Sequence, residues 1–300
     1  RVRMVGCTID TRDDPSSSQG GAVFIWRGAI GNYSFLNNIV NLRNSGGKRD
    51  FVQTGPEGEI ASGWYRDGEV AENFVEGTPD DGVQFEGGCL NVRCWDNTFL
   101  DCFRTFGLAP VVIGPLWIIR NKSLVTDAFF SRYWGTNVAA WLKIGDVGHN
   151  GPVFLYNNPF YADSLTLVHT GVFRDSGDYP NTFSRNNLIV ASGRIAYYWF
   201  QGLPQGWDRD ALSSRRLNGY FARLSDGSSV NSLAGVQAST GQEVEGVEVA
   251  DPTTLLVNPA GLDFTPKSTS LLVDRGQQIP GITEGFFGLD PDIGAVESGG

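Results

Sequence analysis

The chain has 300 residues, a net charge of −10 and 41% hydrophobic residues. That apolar content is sufficient for a folded core and excludes an intrinsically disordered chain. The acidic charge makes general nucleic-acid binding unfavourable, because such binding depends on neutralising phosphates with lysine and arginine. It would also repel a polyanionic sugar unless cations or local basic side chains intervene. With 39 glycines and 12% aromatic residues, the composition favours a turn-rich β-protein over a helical one.

The cellular location of the protein and the state of its cysteines are inferred from the absence of certain sequence signals. No apolar stretch is long enough to span a bilayer, and residues 1–10 lack the apolar core of a signal peptide. We expect an extracellular or cell-surface protein of bacterial export, whose signal peptide is not present in this chain. Its four cysteines form no CxxC pair, so a zinc site is not indicated. One disulfide within residues 89–102 and fully buried thiols both remain open.

One short pattern recurs along the chain: an alternating apolar strand, an asparagine, and then further apolar residues. Its five copies align Asn38, Asn97, Asn121, Asn158 and Asn187. The shortest spacing, 24 residues between Asn97 and Asn121, sets the length of a minimal coil, and the longer spacings add insertions. Asparagine tolerates a left-handed corner, and its amide can bond the next coil and the next asparagine. We therefore predict a solenoid with an asparagine ladder.

A second set of strands precedes the asparagine strands and alternates inward and outward positions. Stacked in order, these strands would form a parallel sheet with a spacing of about 4.8 Å. We predict them at residues 21–26, 81–86, 104–109, 140–145, 165–169 and 195–199. The whole chain is then a single domain, residues 1–300. Regular coils fill residues 1–200 with a long insertion at 50–79, and looser coils with an irregular C-terminal cap fill residues 201–300.

Three stretches resemble right-handed parallel β-helix repeat proteins of the pectate-lyase-like superfamily. They are Asp80–Gly87, the segment that ends at Asn97, and the ending that runs from Ser270 to Gly276 and from Pro291 to Glu297. The resemblance implies an all-β, right-handed parallel β-helix. Because the superfamily includes polysaccharide lyases and glycoside hydrolases, it also raises the expectation of carbohydrate chemistry. Fold analogy assigns no activity by itself.

Asp80, Asp81 and Glu86 form the strongest candidate site. If Val83 points into the core, then Glu86 points outward, with the two aspartates at the entry corner of the same strand. Neighbouring carboxylates can act as the acid and the base of glycoside hydrolysis. The same three residues could hold Ca²⁺, which could bridge to a uronate. A purely structural role, in which the aspartates cap the corner, stays open.

Lys143 and His169 are the further catalytic candidates. The alternation of inward and outward side chains along its predicted strand points Lys143 outward. Lys143 lies two coils beyond Glu86, so the two residues are expected about 10 Å apart. There it could be the base of β-elimination, neutralise a substrate carboxylate, or simply be solvated. His169 ends a predicted strand, whereas His149 lies in a glycine-rich turn. The two histidines are too far apart in the pattern to indicate zinc.

Substrate binding is expected from aromatic and basic residues, since sugar rings stack their C–H faces on aromatic side chains. The candidates are Trp64, Tyr65 and Arg66 in the predicted insertion, Trp141 beside Lys143, and Arg174 in the loop after His169. We expect a carbohydrate-active enzyme that cleaves an extended polysaccharide by β-elimination or hydrolysis. The alternative is a non-catalytic glycan-binding or structural surface protein. No cofactor is required by the sequence beyond the Ca²⁺ considered above.

Overall fold

A computed structural model describes residues 1–10, 21–26, 28, 30–43, 49–56, 59–127, 139–145, 151–174, 181–198, 206–224 and 226–299. For residue 174 and residues 196–198 only the backbone is described. In this part of the chain the structure is a parallel β-helix with minimal helical content. Within it, no helix is both long enough and apolar enough to cross a membrane.

The chain runs through coils that are built from very short strands. The first half contains β1 (Val2–Val5), β2 (Thr8–Asp10), β3 (Val23–Ile25), β4 (Tyr33–Leu36), β5 (Ile39–Asn41), β6 (Val52–Thr54), β7 (Glu69–Ala71), β8 (Phe74–Glu76), β9 (Asp81–Gln84), β10 (Val92–Trp95), β11 (Thr98–Leu100), β12 (Arg104–Leu108), β13 (Leu116–Ile119), β14 (Lys122–Leu124) and β15 (Ala140–Ile144). The second half contains β16 (Val153–Tyr156), β17 (Pro159–Ala162), β18 (Thr170–Arg174), β19 (Thr182–Arg185), β20 (Leu188–Ala191), β21 (Ala196–Tyr198), β22 (Gly206–Trp207), β23 (Ala211–Ser214), β24 (Ala222–Leu224), β25 (Ser229–Val230), α1 (Leu233–Thr240), β26 (Val247–Glu248), β27 (Leu256–Asn258) and β28 (Asp263–Pro266).

Three parallel sheets result, because every third strand pairs with its counterpart in the next coil. Sheet A has the order β1-β4-β7-β10-β13-β16-β19-β22, and sheet B has the order β2-β5-β8-β11-β14-β17-β20-β23-β26. Sheet C has the order β3-β6-β9-β12-β15-β18. Such strands are too short to be stable alone, so each coil depends on the backbone hydrogen bonds and the buried side chains of its neighbours.

The corner between sheets A and B carries the predicted asparagine ladder, which is confirmed. Its members are Asn38, Asn73, Asn97, Asn121, Asn158 and Asn187, followed by Asp210. Each amide nitrogen donates to the side-chain oxygen of the next member at 2.8 to 3.1 Å. One detail differs from the prediction: the left-handed conformation belongs to the residue before each ladder position, with φ between 52° and 58°. The ladder residue itself is thereby free to turn its amide inward.

Two predictions about the coils were wrong. Residues 50–79 are not an insertion, since they contribute one strand to each sheet through β6, β7 and β8. The 59-residue spacing from Asn38 to Asn97 is therefore two coils that share Asn73. The strand expected at residues 165–169 lies at Thr170–Arg174 instead. Ser164 shifts it, because the Ser164 hydroxyl accepts hydrogen bonds from the backbone of Thr166 and Leu167 and bends the chain there.

The apolar interior runs along the whole stack. On sheet A, the inward column Phe35, Val70, Cys94, Ile118 and Leu155 is in register over five coils. All five side chains are buried, and each contributes about 2 kcal/mol of hydrophobic stabilisation. Cys94 is a free thiol, as are the other three cysteines, so the stack is not cross-linked by a disulfide.

The irregular C-terminal cap has two parts. Leu233 and Val236 of α1 belong to the main core, so this helix covers the C-terminal end of the apolar interior. A second apolar cluster unites the outer side of sheet B, at Leu188 and Val190, with the C-terminal segment. The segment contributes Leu255, Leu256, Phe264, Leu272 and Ile293 to that cluster. It therefore lies along the side of the stack and leaves the outer face of sheet C to the candidate site.

Candidate functional site

Asp81, Glu86 and Lys143 converge on sheet C. The Lys143 Nζ lies 3.1 Å from Asp81 Oδ2 and 3.1 Å from Glu86 Oε1. Asp81 and Glu86 have no exposed surface, and only 12% of the Lys143 side chain is exposed. The expectation that Glu86 lies open on the outer face is therefore wrong. The residue turns under the face, where a buried carboxylate requires an ionic partner.

Gly107 makes this convergence possible. It is in register with Gln84 of β9 on one side and with Lys143 of β15 on the other. Gly107 therefore lies between the strand that precedes Glu86 and the strand that carries Lys143. A Cβ atom at residue 107 would lie 2.3 Å from Asp81 Oδ2. Without a side chain there, Lys143 can extend across a whole coil towards Asp81 and Glu86.

Asp80 and Arg104 form the third ion pair of the cluster. Arg104 Nη1 donates to Asp80 Oδ1 at 3.3 Å, and both side chains are mostly buried. The Arg104 guanidinium also lies 4.6 Å from the ring centroid of Phe103 and 5.1 Å from that of Phe173. Such cation–π contacts hold the planar group in place, so its position is fixed from three directions.

Asp50 is a member of the cluster that the sequence did not indicate. Its Oδ1 accepts a hydrogen bond from Asp81 N at 2.7 Å. Its pKa is raised well above the ordinary value, firstly by burial and then by the negative charges of Asp81 and Asp80. The signal was present in the alignment of the coils. Val52 pairs with Val83, which places Asp50 one coil below Asp81, whereas the predicted insertion at residues 50–79 leaves no strand there.

The pKa of Lys143 is also raised well above its ordinary value. Burial alone would lower it, but the charges of Asp81, Glu86 and Asp80 outweigh the effect of burial. Lys143 is therefore held as a cation. A general base must be deprotonated at the working pH, so this environment does not suit the predicted role of Lys143 as the base of β-elimination.

The carboxylates that could share a cation are not the three that the sequence suggested. Asp50, Asp80 and Asp81 each offer an oxygen, and these oxygens lie within 4.8 Å of one another. Glu86 contacts Lys143 instead. Any cation at the three aspartates would compete with the positive charges of Lys143 and Arg104, which already compensate Asp81 and Asp80.

His169 lies apart from these charges, in the chain just before β18. It is fully buried, and its backbone N–H donates to Ser192 Oγ at 2.7 Å. Burial lowers its pKa to about 4, so the imidazole is neutral at physiological pH. His149 lies outside the described residues.

The predicted substrate-binding residues are dispersed. Trp64 and Trp141 are core residues without exposed surface, and Trp64 Nε1 donates to the backbone oxygen of Gln84 at 2.8 Å. They strengthen the interior but offer no ring face to a ligand. Arg66 is exposed, and its guanidinium lies 5.6 Å from the ring centroid of Tyr65. The backbone of Arg174 ends β18 in register with Ile144.

The outer face of sheet C is thus a charged surface whose carboxylates are mostly covered. Asp80, Arg104 and Lys143 reach the solvent with small fractions of their side chains, while Asp50, Asp81 and Glu86 lie beneath them. This arrangement can donate and accept hydrogen bonds along the stack, and it places Asp50, whose pKa is raised, next to Asp80 and Asp81. No family model, curated protein or solved structure matches the chain, so these contacts are what indicate its chemistry.

Proposed function

We propose that the protein binds an extended polysaccharide along the outer face of sheet C, outside the cell or on its surface. The observation that carries the proposal is the fixed row of solvent-reaching polar groups formed by Asp80, Arg104 and Lys143. Ion pairs hold these side chains before any ligand arrives, so binding costs little conformational entropy. The resemblance to the pectate-lyase-like superfamily supports the same class of ligand by analogy.

A neutral polysaccharide suits this face better than a polyuronate. Lys143 is shared between Asp81 and Glu86, and Arg104 is paired with Asp80. A uronate carboxylate would have to displace one of these partners and would approach a protein with a net charge of −10. The hydroxyl groups of a neutral sugar can add hydrogen bonds to the ion pairs without breaking them.

Cleavage of the bound chain is the second candidate function, and Asp50 is the observation that favours it. The raised pKa of Asp50 favours a protonated acid beside the carboxylates of Asp80 and Asp81. Hydrolysis needs such an acid together with a base or nucleophile. β-Elimination receives less support, because Lys143 is held as a cation. Since Asp50 and Asp81 are both buried, the sugar would have to reach the acid past Asp80.

Affinity electrophoresis in gels that contain a panel of neutral and uronate polysaccharides tests the binding proposal. We expect a neutral polymer to retard the wild-type protein and the R93Q control, whose arginine is exposed on sheet A. R104Q and D80N should migrate at the rate seen in a polymer-free gel. Melting curves confirm that both variants are folded. Free migration of the wild-type protein in every gel would contradict the proposal.

The same panel separates the two candidate functions. Hydrolysis creates new reducing ends without the ultraviolet absorbance of unsaturated products, whereas β-elimination creates both. If Asp50 is the acid, D50N abolishes product formation while retardation persists. Retardation of a wild-type protein that releases neither product supports the non-catalytic glycan-binding function and contradicts the enzymatic one.

A further inference from the structure

Phe24 and Trp26 form an exposed aromatic pair at the N-terminal end of sheet C. Their ring centroids are 5.0 Å apart and their planes differ by 21°, so the rings are stacked. The two side chains are 50% and 52% exposed, whereas Ile25 between them is 4% exposed. Strand alternation therefore places both rings on the outer face. Isolated exposed apolar residues are common on protein surfaces, but a stacked pair is a continuous apolar patch.

The next coil is shaped to receive this pair. A Cβ atom at Gly55 would lie 2.1 Å from Cζ3 of Trp26, so the indole lies directly against the backbone of residue 55. Gly55 N also donates to the backbone oxygen of Ile25 at 3.1 Å, which fixes the two coils relative to each other. Trp26 is thus held against its support, as a binding platform requires.

The pair is continuous with the charged cluster. Phe24 is in register with Gln53, and the pairing of Val52 with Val83 continues that column to Gln84. From Gln84 the column passes through Gly107 to Lys143. β3 lies two coils from β9, a distance of about 10 Å. An extended ligand on the cluster that follows the stack in this direction would therefore meet the two rings.

We infer that Phe24 and Trp26 are a stacking subsite for a sugar ring of the polysaccharide. This inference rests on the proposed function and adds a recognition element to it. A pyranose presents axial C–H groups on one face, which pack against an aromatic ring, and hydroxyl groups at its edge. Gln53, which is in register with Phe24 and partly exposed, is the polar side chain next to the rings in this column and faces the edge of such a sugar. The apolar platform again favours a neutral sugar.

Isothermal titration with the polysaccharide that retards the wild-type protein tests the subsite. We expect F24A and W26A to weaken binding about tenfold, the effect of losing one aromatic stacking contact together with its buried area. W26F should restore most of the affinity. F287A is the matched control, because Phe287 is 55% exposed in the C-terminal segment and its loss should leave the affinity unchanged.

The outcomes distinguish the two proposals. If F24A and W26A bind as tightly as the wild-type protein, the subsite is refuted while the charged cluster keeps its ligand. Light scattering identifies a protein-docking patch: loss of a dimer in W26A, with unchanged sugar affinity, also refutes the subsite. If no polysaccharide binds the wild-type protein, both proposals fall.

Discussion

The Lys143 ammonium and the Glu86 carboxylate are 3.1 Å apart although strand β12 separates the strands on which they were predicted. Backbone spacing alone gave about 10 Å for this pair. The long lysine side chain spans the difference by crossing Gly107, and the Glu86 side chain meets it beneath the face. One cation thereby links the coils of β9 and β15 across β12, and its removal should destabilise this part of the stack.

Replacement of Lys143 by methionine tests how much the cluster contributes to stability. K143M leaves Asp81 and Glu86 buried without their cation, and we expect the free energy of unfolding to fall by about 3–5 kcal/mol. Urea denaturation at neutral pH measures the change. K122M, at a partly exposed lysine of β14, is the control and should cost less than about 1 kcal/mol.

A neutral triple variant completes this test. In D81N/E86Q/K143M both carboxylates that pair with Lys143 are neutral, so we expect a large part of the stability lost in K143M to return. A triple variant that is no more stable than K143M would show that packing of the lysine stem, and not charge, is what the cluster provides.

Gly107 should tolerate no side chain. In G107A the new methyl group would lie 2.3 Å from Asp81 Oδ2 and would obstruct the path of Lys143. We expect a loss of about 2–4 kcal/mol, from steric strain and from a weakened ion pair. G206A in sheet A is the matched control, because its nearest contact would be 3.1 Å, to the Phe183 ring. Equal melting temperatures for the two variants would argue against the crossing geometry.

The repeats made the fold predictable. The ladder asparagines mark a corner of almost every coil, and their side-chain bonds were inferred from residue type alone. Asn73 lies within residues 50–79, which the sequence pattern predicted to be an insertion, so its coil was not counted. Without that coil the sequence could not place Asp50 in the site. Its position follows once Val52 is paired with Val83.

The site was predicted less completely than the fold. The sequence brought Asp80, Asp81, Glu86 and Lys143 to one sheet, and the structure unites them. It could not give their burial, since two successive residues of β15, Trp141 and Leu142, are both buried and strict alternation fails there. The pattern of a strand predicts which side chains point to which face of the sheet. How far a long side chain such as Lys143 extends depends instead on the residue in the neighbouring coil, here Gly107, which has no side chain.

The centre of the ladder should be more sensitive than isolated surface asparagines. Asn97 Nδ2 donates to Asn121 Oδ1 at 2.8 Å, and Asn97 Oδ1 accepts from both the backbone N–H and the side chain of Asn73. N97A leaves several buried polar groups without partners, so we expect a loss of about 3 kcal/mol or more in urea denaturation. N91G removes one exposed hydrogen bond to Asp67, suits the left-handed backbone of residue 91 and should cost below about 1 kcal/mol. Similar losses in the two variants would contradict a stabilising ladder.

The C-terminal end of the ladder should make stability depend on pH. Asp210 takes an asparagine position, accepts from Asn187 and from Ser184, and is fully buried. Burial raises its pKa to about 6, although these hydrogen bonds act in the opposite direction, and burial together with Asp210 raises the pKa of Glu243. A carboxyl group whose pKa is higher in the folded state stabilises the fold fully below its unfolded pKa. That contribution is lost as the pH rises through the folded value.

D210N keeps the acceptor for Asn187 and removes this titration. We therefore expect the melting temperature of the wild-type protein, relative to that of D210N, to decrease as the pH rises from about 4 to about 7. Differential scanning calorimetry of both proteins in matched buffers measures the difference. The comparison cancels the titrating groups that do not interact with Asp210, and any change at Glu243 belongs to the same pair. A difference that is constant over this range would show that Asp210 ionises in the folded protein as readily as in the unfolded chain.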